Sequence, residues 1–328
     1  MKKAAIIPVS TIGDALILMI AANQLTTLGY EVTILHDNIF SLKNWFPKFQ
    51  FKKLSLKELN SYDHIFLEQD EVKIDKTNEL KKLIKTKLSI IYFRYNKSKF
   101  SPLSNLDIFL DDDLPIAKSL AKNFQKFLSS HLNKNKKTTA LDKVILDSRA
   151  LHTGIVIPKN LTHKKYPKRV IIQPTSTDVN KCWSKHKFIK LAKKLKNKGF
   201  RCVISVAPEE RKDWLFVHDL GLDLPLFQTL SDLASYIYES SYLIGNDSLA
   251  IHLASLFKID HIMIAKSKKV TKKWQGGWLK TSIISPLSLV PNLKGLRLRE
   301  KYFQKFISVR KVLKYFSQNP ANKRLTLN

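Results

Sequence analysis

Cysteine is scarce: only Cys182 and Cys202 occur among 328 residues. Two thiols are too few for a disulfide framework or a cysteine-based metal site, and a reducing cytoplasm fits that usage. The nine histidines show no H-E-x-x-H or other zinc-type spacing. Nine Gly and 12 Pro exclude collagen-like or low-complexity architecture. No apolar run approaches the roughly 18 residues of a membrane span, so any membrane contact is expected to be peripheral. Met1-Lys2-Lys3 and the apolar residues after them superficially resemble a secretory signal, but Pro8, Gly13 and Asp14 interrupt the run. Also missing are a Walker loop, a G-x-S-x-G elbow and a G-x-G-x-x-G fingerprint. Aromatic residues are not interleaved with basic ones in a recognisable RNA-binding motif, so no nucleic-acid partner is expected.

Acidic residues are also in short supply. There are 27 Asp+Glu against 57 Lys+Arg, a net charge of +30, which by itself suits polyanionic partners: nucleic acid, phospholipid head groups or phosphorylated glycans. Arginine supplies only nine of those cations. Scattered lysine mostly gives a solvated surface rather than bidentate clamps. The excess is uneven: residues 1–160 hold 25 basic and 16 acidic side chains, residues 161–328 hold 32 and 11. Hydrophobic content of 44% is enough for a sizeable core, and the length suits two domains.

Ala4–Val9 reads as a buried strand, Ala15–Leu28 as a helix closed by Gly29, and Glu31–Leu35 as the next strand, which makes a βαβ unit. Strands follow at Tyr62–Leu67 and Ser89–Phe93, with a helix at Lys76–Lys87 between them and another from Pro115 to about Leu132. Asn133–Lys137 and Pro158–Arg169 are polar and Lys-rich, and the second reads as a linker. Beyond it, strands at Val170–Pro174, Arg201–Val206, Tyr242–Gly245 and His261–Ile264 alternate with helices at Lys187–Lys198, Ser231–Ser240 and Ser248–Phe257. This pattern predicts two doubly wound α/β domains facing each other, followed by an amphipathic, basic C-terminal helix over Glu300–Phe316.

In such folds ligands bind beyond the carboxyl ends of the strands, and three loops there carry chemistry. Ser10-Thr11-Ile12-Gly13-Asp14 presents one carboxylate, either a helix cap or a general base. Thr175-Ser176-Thr177 with Lys181 offers hydroxyls and a cation to a diphosphate, or is simply a polar turn. In Gly245–His252, Asp247-Ser248 open a helix whose free amides suit an anion, although either residue can be only its cap. His252 reads either as a packed core histidine or as part of that site.

Taken in order, these loops resemble glycosyltransferase family 9, the ADP-heptose:lipopolysaccharide heptosyltransferases. The resemblance rests on Ile12-Gly13-Asp14, on Lys181-Cys182-Trp183, and on the stretch from Leu233 through Asn246-Asp247-Ser248 to His252-Leu253-Ala254. It implies a GT-B fold, an α/β architecture of two Rossmann-like domains across a cleft. Residues 1–160 would bind the acceptor, residues 161–299 the nucleotide-sugar, and the helix in residues 300–328 would cross back to the first domain. The implied reaction is inverting, metal-independent transfer of a heptose or related sugar from an ADP-sugar to a lipopolysaccharide core acceptor at the inner membrane face, with no cofactor beyond that co-substrate. Asp14, beside Gly13, would be the base, and Lys181, Ser176 and Thr177 would neutralise the diphosphate with amides at Ser248. Asp247 would hold sugar hydroxyls and Glu210 the ribose, with Leu249 and His252 completing the donor pocket. Arg94 and Lys97 would meet an acidic acceptor group. Leu249 stands where the family has Gly and narrows the phosphate cradle, and Lys266 or Lys268 supplies compensating charge. The alternatives are the same scaffold with another nucleotide-sugar or a non-lipid acceptor, and a catalytically silent relative that binds a polyanion.

Overall fold

The structure, a computed structural model, describes residues 1–69, 79–80, 82, 84, 87–93, 95, 98–99, 104–132, 148–287 and 298–319. The chain divides into two compact units, Met1–Pro158 with Gln275–Gly277, and Lys159–Trp274 with Trp278–Asn328.

The first unit is a parallel sheet of β1 (Lys3–Ile7), β2 (Glu31–Leu35), β3 (Phe49–Lys52), β4 (His64–Glu68), β5 (Leu88–Tyr92) and β6 (Ile108–Phe109) in the order β3-β2-β1-β4-β5-β6. The apolar runs in β1, β4 and β5 are buried almost throughout, as strands covered on both faces must be. Helix α1 (Ile12–Thr27) begins three residues earlier than its apolar run suggests, with Thr11 as the N-cap. Ile12-Gly13-Asp14 is therefore the first helical turn rather than a loop. Ala15 to Ala22 are all buried, the mark of a helix enclosed on every side. Helix α2 (Ile116–Phe127) ends in a π-helical turn, Leu128–Leu132. The expected helix at Lys76–Lys87 and the segment Asn133–Lys137 lie largely or wholly outside the described residues.

In the second unit β7 (Tyr166–Gln173), β8 (Arg201–Ile204), β9 (Ser240–Asn246), β10 (Asp260–Ile264) and β11 (Ser282–Ile284) run parallel in the order β11-β10-β9-β7-β8. Helices α3 (Lys185–Lys196), α4 (Leu230–Tyr238), α5 (Leu249–Leu256) and α6 (Lys268–Lys273) connect them. β9 approaches β7 so closely that a Cβ on Gly245 would lie 2.8 Å from the Gln173 Cβ, which explains the glycine in that strand.

The C-terminal segment departs from expectation in one way. It is not one helix but three pieces, ending in α7 (Val309–Gln318). The break has a local cause: the Ile307 carbonyl accepts from Trp183 Nε1 at 3.2 Å and Lys187 Nζ at 3.0 Å, and the Ser308 hydroxyl caps α7 by accepting from the Lys311 amide at 3.2 Å. The described segment packs within the second unit. Phe303, Ile307, Val312 and Phe316 are buried in the core of the second, with Phe200, Trp183 and Tyr242. The stripe that made the helix look amphipathic is used there.

Candidate functional site

Each sheet has a point where successive connections leave in opposite directions, and a crevice opens there at the carboxyl ends of the strands. In the second unit it lies between β7 and β9, and the two predicted donor loops meet at it. Ser176 Oγ donates to the Asp247 carbonyl at 3.0 Å. Lys181 Nζ lies 3.6 Å from Asp247 Oδ2, with the lysine side chain about half exposed. An exposed pair of this kind contributes only about 0–1 kcal/mol, so a phosphate can compete for the lysine at small cost. Thr177 is exposed and Ser176 half-buried.

Asn246, fully buried at the end of β9, ties the loops together. Its Oδ1 accepts from the Trp183 amide at 2.8 Å and its Nδ2 donates to the Pro174 carbonyl at 2.7 Å. One side chain thus holds both ends of the loop that carries Ser176, Thr177 and Lys181. From outside, Gln304 Nε2 donates to the Cys182 carbonyl at 2.7 Å, and Lys187 donates to the Gln304 carbonyl. The C-terminal segment therefore buttresses the loop. None of this was visible beforehand for Gln304. Asn246 carried one signal, a polar residue at the end of an apolar strand.

Ser248 is the N-cap of α5, yet its hydroxyl caps nothing. That buried oxygen has no hydrogen-bond partner among the described residues. An unmatched buried hydroxyl costs about 1–3 kcal/mol, and a helix N-terminus attracts anions. Leu249 is half-buried as the first residue of α5, and His252 is buried further along it. His261 hydrogen-bonds Thr281 Oγ1 and the Ile259 carbonyl, each at 2.8 Å, and burial lowers its pKa.

Glu210 accepts from the Ala207 amide at 3.0 Å in the first turn after the β8 loop, while Glu209 is exposed. The surroundings of Cys182 show which charges converge here. Burial raises its thiol pKa first, Glu210 and Asp178 add to that, and Lys266 opposes them. Glu210 and Lys266 are therefore both near enough to Cys182 to act on its charge. Lys268 adds to the effect of burial in lowering the pKa of Lys311.

In the first unit the corresponding point lies between β1 and β4. Asp14 sits half-buried in the first turn of α1, where a carboxylate is favoured by the helix dipole, and the Thr11 hydroxyl donates to it. It is not the N-cap. The loop before it is held by two residues that the sequence reading did not single out. Val9 N–H donates to Glu68 Oε2 at 2.9 Å, and the Val9 carbonyl accepts from His36 Nε2 at 3.0 Å. Arg94 and Lys97 lie outside the described residues. Among the described residues no group of three His, Cys, Asp or Glu side chains is placed to hold a metal ion, and no helix is long and apolar enough to cross a membrane.

Two Rossmann-like units with polar loops at both switch points define the class: an α/β protein of the GT-B fold. More particularly, residues 123–262 match the model of glycosyltransferase family 9 (heptosyltransferase), the family that the loop motifs resemble. Solved structures agree in fold. E. coli ADP-heptose lipopolysaccharide heptosyltransferase II superposes with a TM-score of 0.67 at 14% identity, covering 100% of this chain and 99% of its own. E. coli heptosyltransferase WaaC with ADP gives 0.64 at 11% identity, covering 97% and 99%. A family 9 glycosyltransferase from Veillonella parvula gives 0.63 at 14% identity, covering 99% and 97%. At such identities the likeness is one of architecture. No curated protein sequence matches the chain significantly.

Proposed function

We propose that the protein is an inverting glycosyltransferase that moves a heptose or related sugar from ADP to a hydroxyl of a lipopolysaccharide-type acceptor at the inner face of the bacterial inner membrane. The observation that carries this reading is the junction of β7 and β9. There Lys181, Ser176 and the unmatched Ser248 hydroxyl at the start of α5 converge, a set suited to a diphosphate, in a chain that matches the family 9 model over residues 123–262.

Asp14 accepts the proton of the acceptor hydroxyl as its oxygen bonds to the anomeric carbon. The bond from that carbon to the diphosphate oxygen breaks, and the electron pair leaves with the nucleotide. Lys181, Ser176 and Thr177, with the first amides of α5, offset the charge that develops on the leaving group. Asp247, released from Lys181, turns to the sugar hydroxyls, and Glu210 binds the ribose. Leu249 and His252 wall the pocket, and Lys266 adds the charge that Leu249 withholds in backbone approach. Arg94 and Lys97 take the acidic group of the acceptor. The lysine excess favours an anionic bilayer surface.

The test is a thermal-shift panel of ADP-, UDP- and GDP-sugars. A ligand at 100 times its Kd stabilises by about 2.7 kcal/mol, so saturable protection by ADP-heptose alone is expected. Indifference to every nucleotide, with polyanion binding that collapses steeply in salt, would mark a silent polyanion binder instead. Replacing Asp14 by Ala should abolish transfer and leave ADP protection intact, whereas Lys181→Ala should weaken it about tenfold or more.

A further inference from the structure

Val9 lies two residues beyond β1, and neither its N–H nor its C=O is taken by the sheet. Both are instead taken by side chains from the strands flanking β1. Glu68, the last residue of β4 and almost fully buried, accepts the N–H at 2.9 Å. His36, directly after β2 and also buried, donates from Nε2 to the C=O at 3.0 Å. His36 is itself fixed at two points. Its amide donates to the Lys52 carbonyl of β3 at 3.0 Å, and its Nδ1 accepts from the Asn38 amide at 3.1 Å.

These partners leave one tautomer. A carbonyl only accepts and an amide only donates, so the proton sits on Nε2 and Nδ1 is bare. Burial favours this neutral form. Only Pro8, Val9, Ser10 and Thr11 join β1 to α1, and Thr11 both caps α1 and donates to Asp14. Gripping the Val9 peptide from both sides therefore sets where the bridge ends and how the first turn of α1 is aimed.

We propose that Glu68 and His36 are positioning residues for Asp14, acting through the Val9 peptide rather than on the substrate. The proposal rests on the reading of Asp14 as the base. The arrangement parallels the other unit, where Asn246 ends the strand across the switch point and grips the loop that follows β7. A displacement of the base by about 1 Å is enough to cost up to two orders of magnitude in rate.

Two pairs of variants test it, each contrasting a replacement that keeps the bond with one that loses it. Glu68→Gln keeps an acceptor for the Val9 amide, and Glu68→Met fills the space without one. His36→Gln keeps a donor at the Nε2 position, and His36→Asn keeps only the group facing Asn38. Two readouts apply: hydrogen exchange of the Val9 amide, and steady-state transfer from ADP-heptose. In Glu68→Met and His36→Asn, exchange should quicken and kcat should fall tenfold or more, with the donor KM within twofold of wild type. Glu68→Gln and His36→Gln should stay within threefold in both. Equal loss in both members of a pair, or wild-type exchange in the Met and Asn variants, overturns the proposal. If wild-type protein transfers no sugar, the functional reading fails, and the exchange comparison alone decides whether the clamp exists.

Discussion

Replacing Asn246 by Asp exposes how much of the donor loop hangs on one amide. The shape is nearly conserved, and a carboxylate oxygen still accepts from the Trp183 amide. The second bond cannot survive, because a carboxylate oxygen 2.7 Å from the Pro174 carbonyl repels where Nδ2 attracted. Only the protonated acid, donating its O–H to that carbonyl, restores the pattern. The folded state therefore holds the proton of the introduced carboxyl more tightly than the unfolded chain does, so its pKa in the folded state is raised. A raised carboxyl pKa gives stability that is full below the unfolded value of about 3.9 and is lost as pH rises above it, at about 1.4 kcal/mol per unit. Asn246→Ala loses both bonds at every pH. Two buried backbone groups left unmatched cost about 1–3 kcal/mol each, a large part of a typical stability of about 5–15 kcal/mol. Urea unfolding of the wild type and both variants from pH 4 to 8 reads this directly. The expected difference between Asn246→Asp and wild type grows with pH, that for Asn246→Ala is flat, and both variants bind ADP about tenfold or more weakly. A parallel pH course for Asn246→Asp and wild type, or an unchanged ADP affinity, would refute the clamp.

Other outcomes follow from single contacts. His64 is buried against Phe66 and Phe127 and bonded to Ser89 Oγ at 3.0 Å, and burial first, then the charge of His131, lowers its pKa to about 4. Its neutral form thus supports the fold fully above about pH 6.5, and that support drains away toward pH 4, about 3 kcal/mol in all; His64→Gln should flatten this part of the pH-stability curve measured by urea unfolding. Gly245→Ala places a methyl 2.8 Å from the Gln173 Cβ and 3.0 Å from its carbonyl oxygen. It should destabilise by about 1–3 kcal/mol and weaken ADP binding, as seen by calorimetry, because β7 and β9 part just below the donor loops. Arg169, buried with Nε 2.8 Å from Ser240 Oγ and its guanidinium 3.8 Å from the Tyr236 ring centroid, should not tolerate Lys, which lacks the planar fork; a loss of at least about 2 kcal/mol in chemical denaturation is expected.

What could be read in advance, and what could not, divides along one line. Apolar runs such as Ile6-Ile7 and Val170-Ile171-Ile172 announce buried parallel strands wherever they sit, and polar stretches after them announce the loops. Those signals are local, so the placement of Ser176, Lys181 and Ser248 beyond strand ends followed from them, whereas Asp14, read as a loop residue, lies in the first turn of α1. β3 and β11 escaped because four and three residues are too few to show a period. The residues that organise the site were illegible for a different reason. Glu68 meets Val9 across 59 positions, Asn246 meets Pro174 across 72, and Gln304 meets Cys182 across 122. The first two depend on a strand order in which β1 lies between β2 and β4 and β7 lies between β8 and β9, the third on where the C-terminal segment packs. Composition and spacing do not carry that order. The same cause explains the C-terminal helix. Its apolar stripe was plain in Val309, Val312 and Phe316, but a stripe says only that something covers it, and what covers it is the second unit's own core. That choice has a functional result. By spending its apolar face on Trp183 and Tyr242, the segment brings Gln304 and the Ile307 carbonyl against the donor loop, so the last described elements of the chain stiffen the loop that carries Lys181.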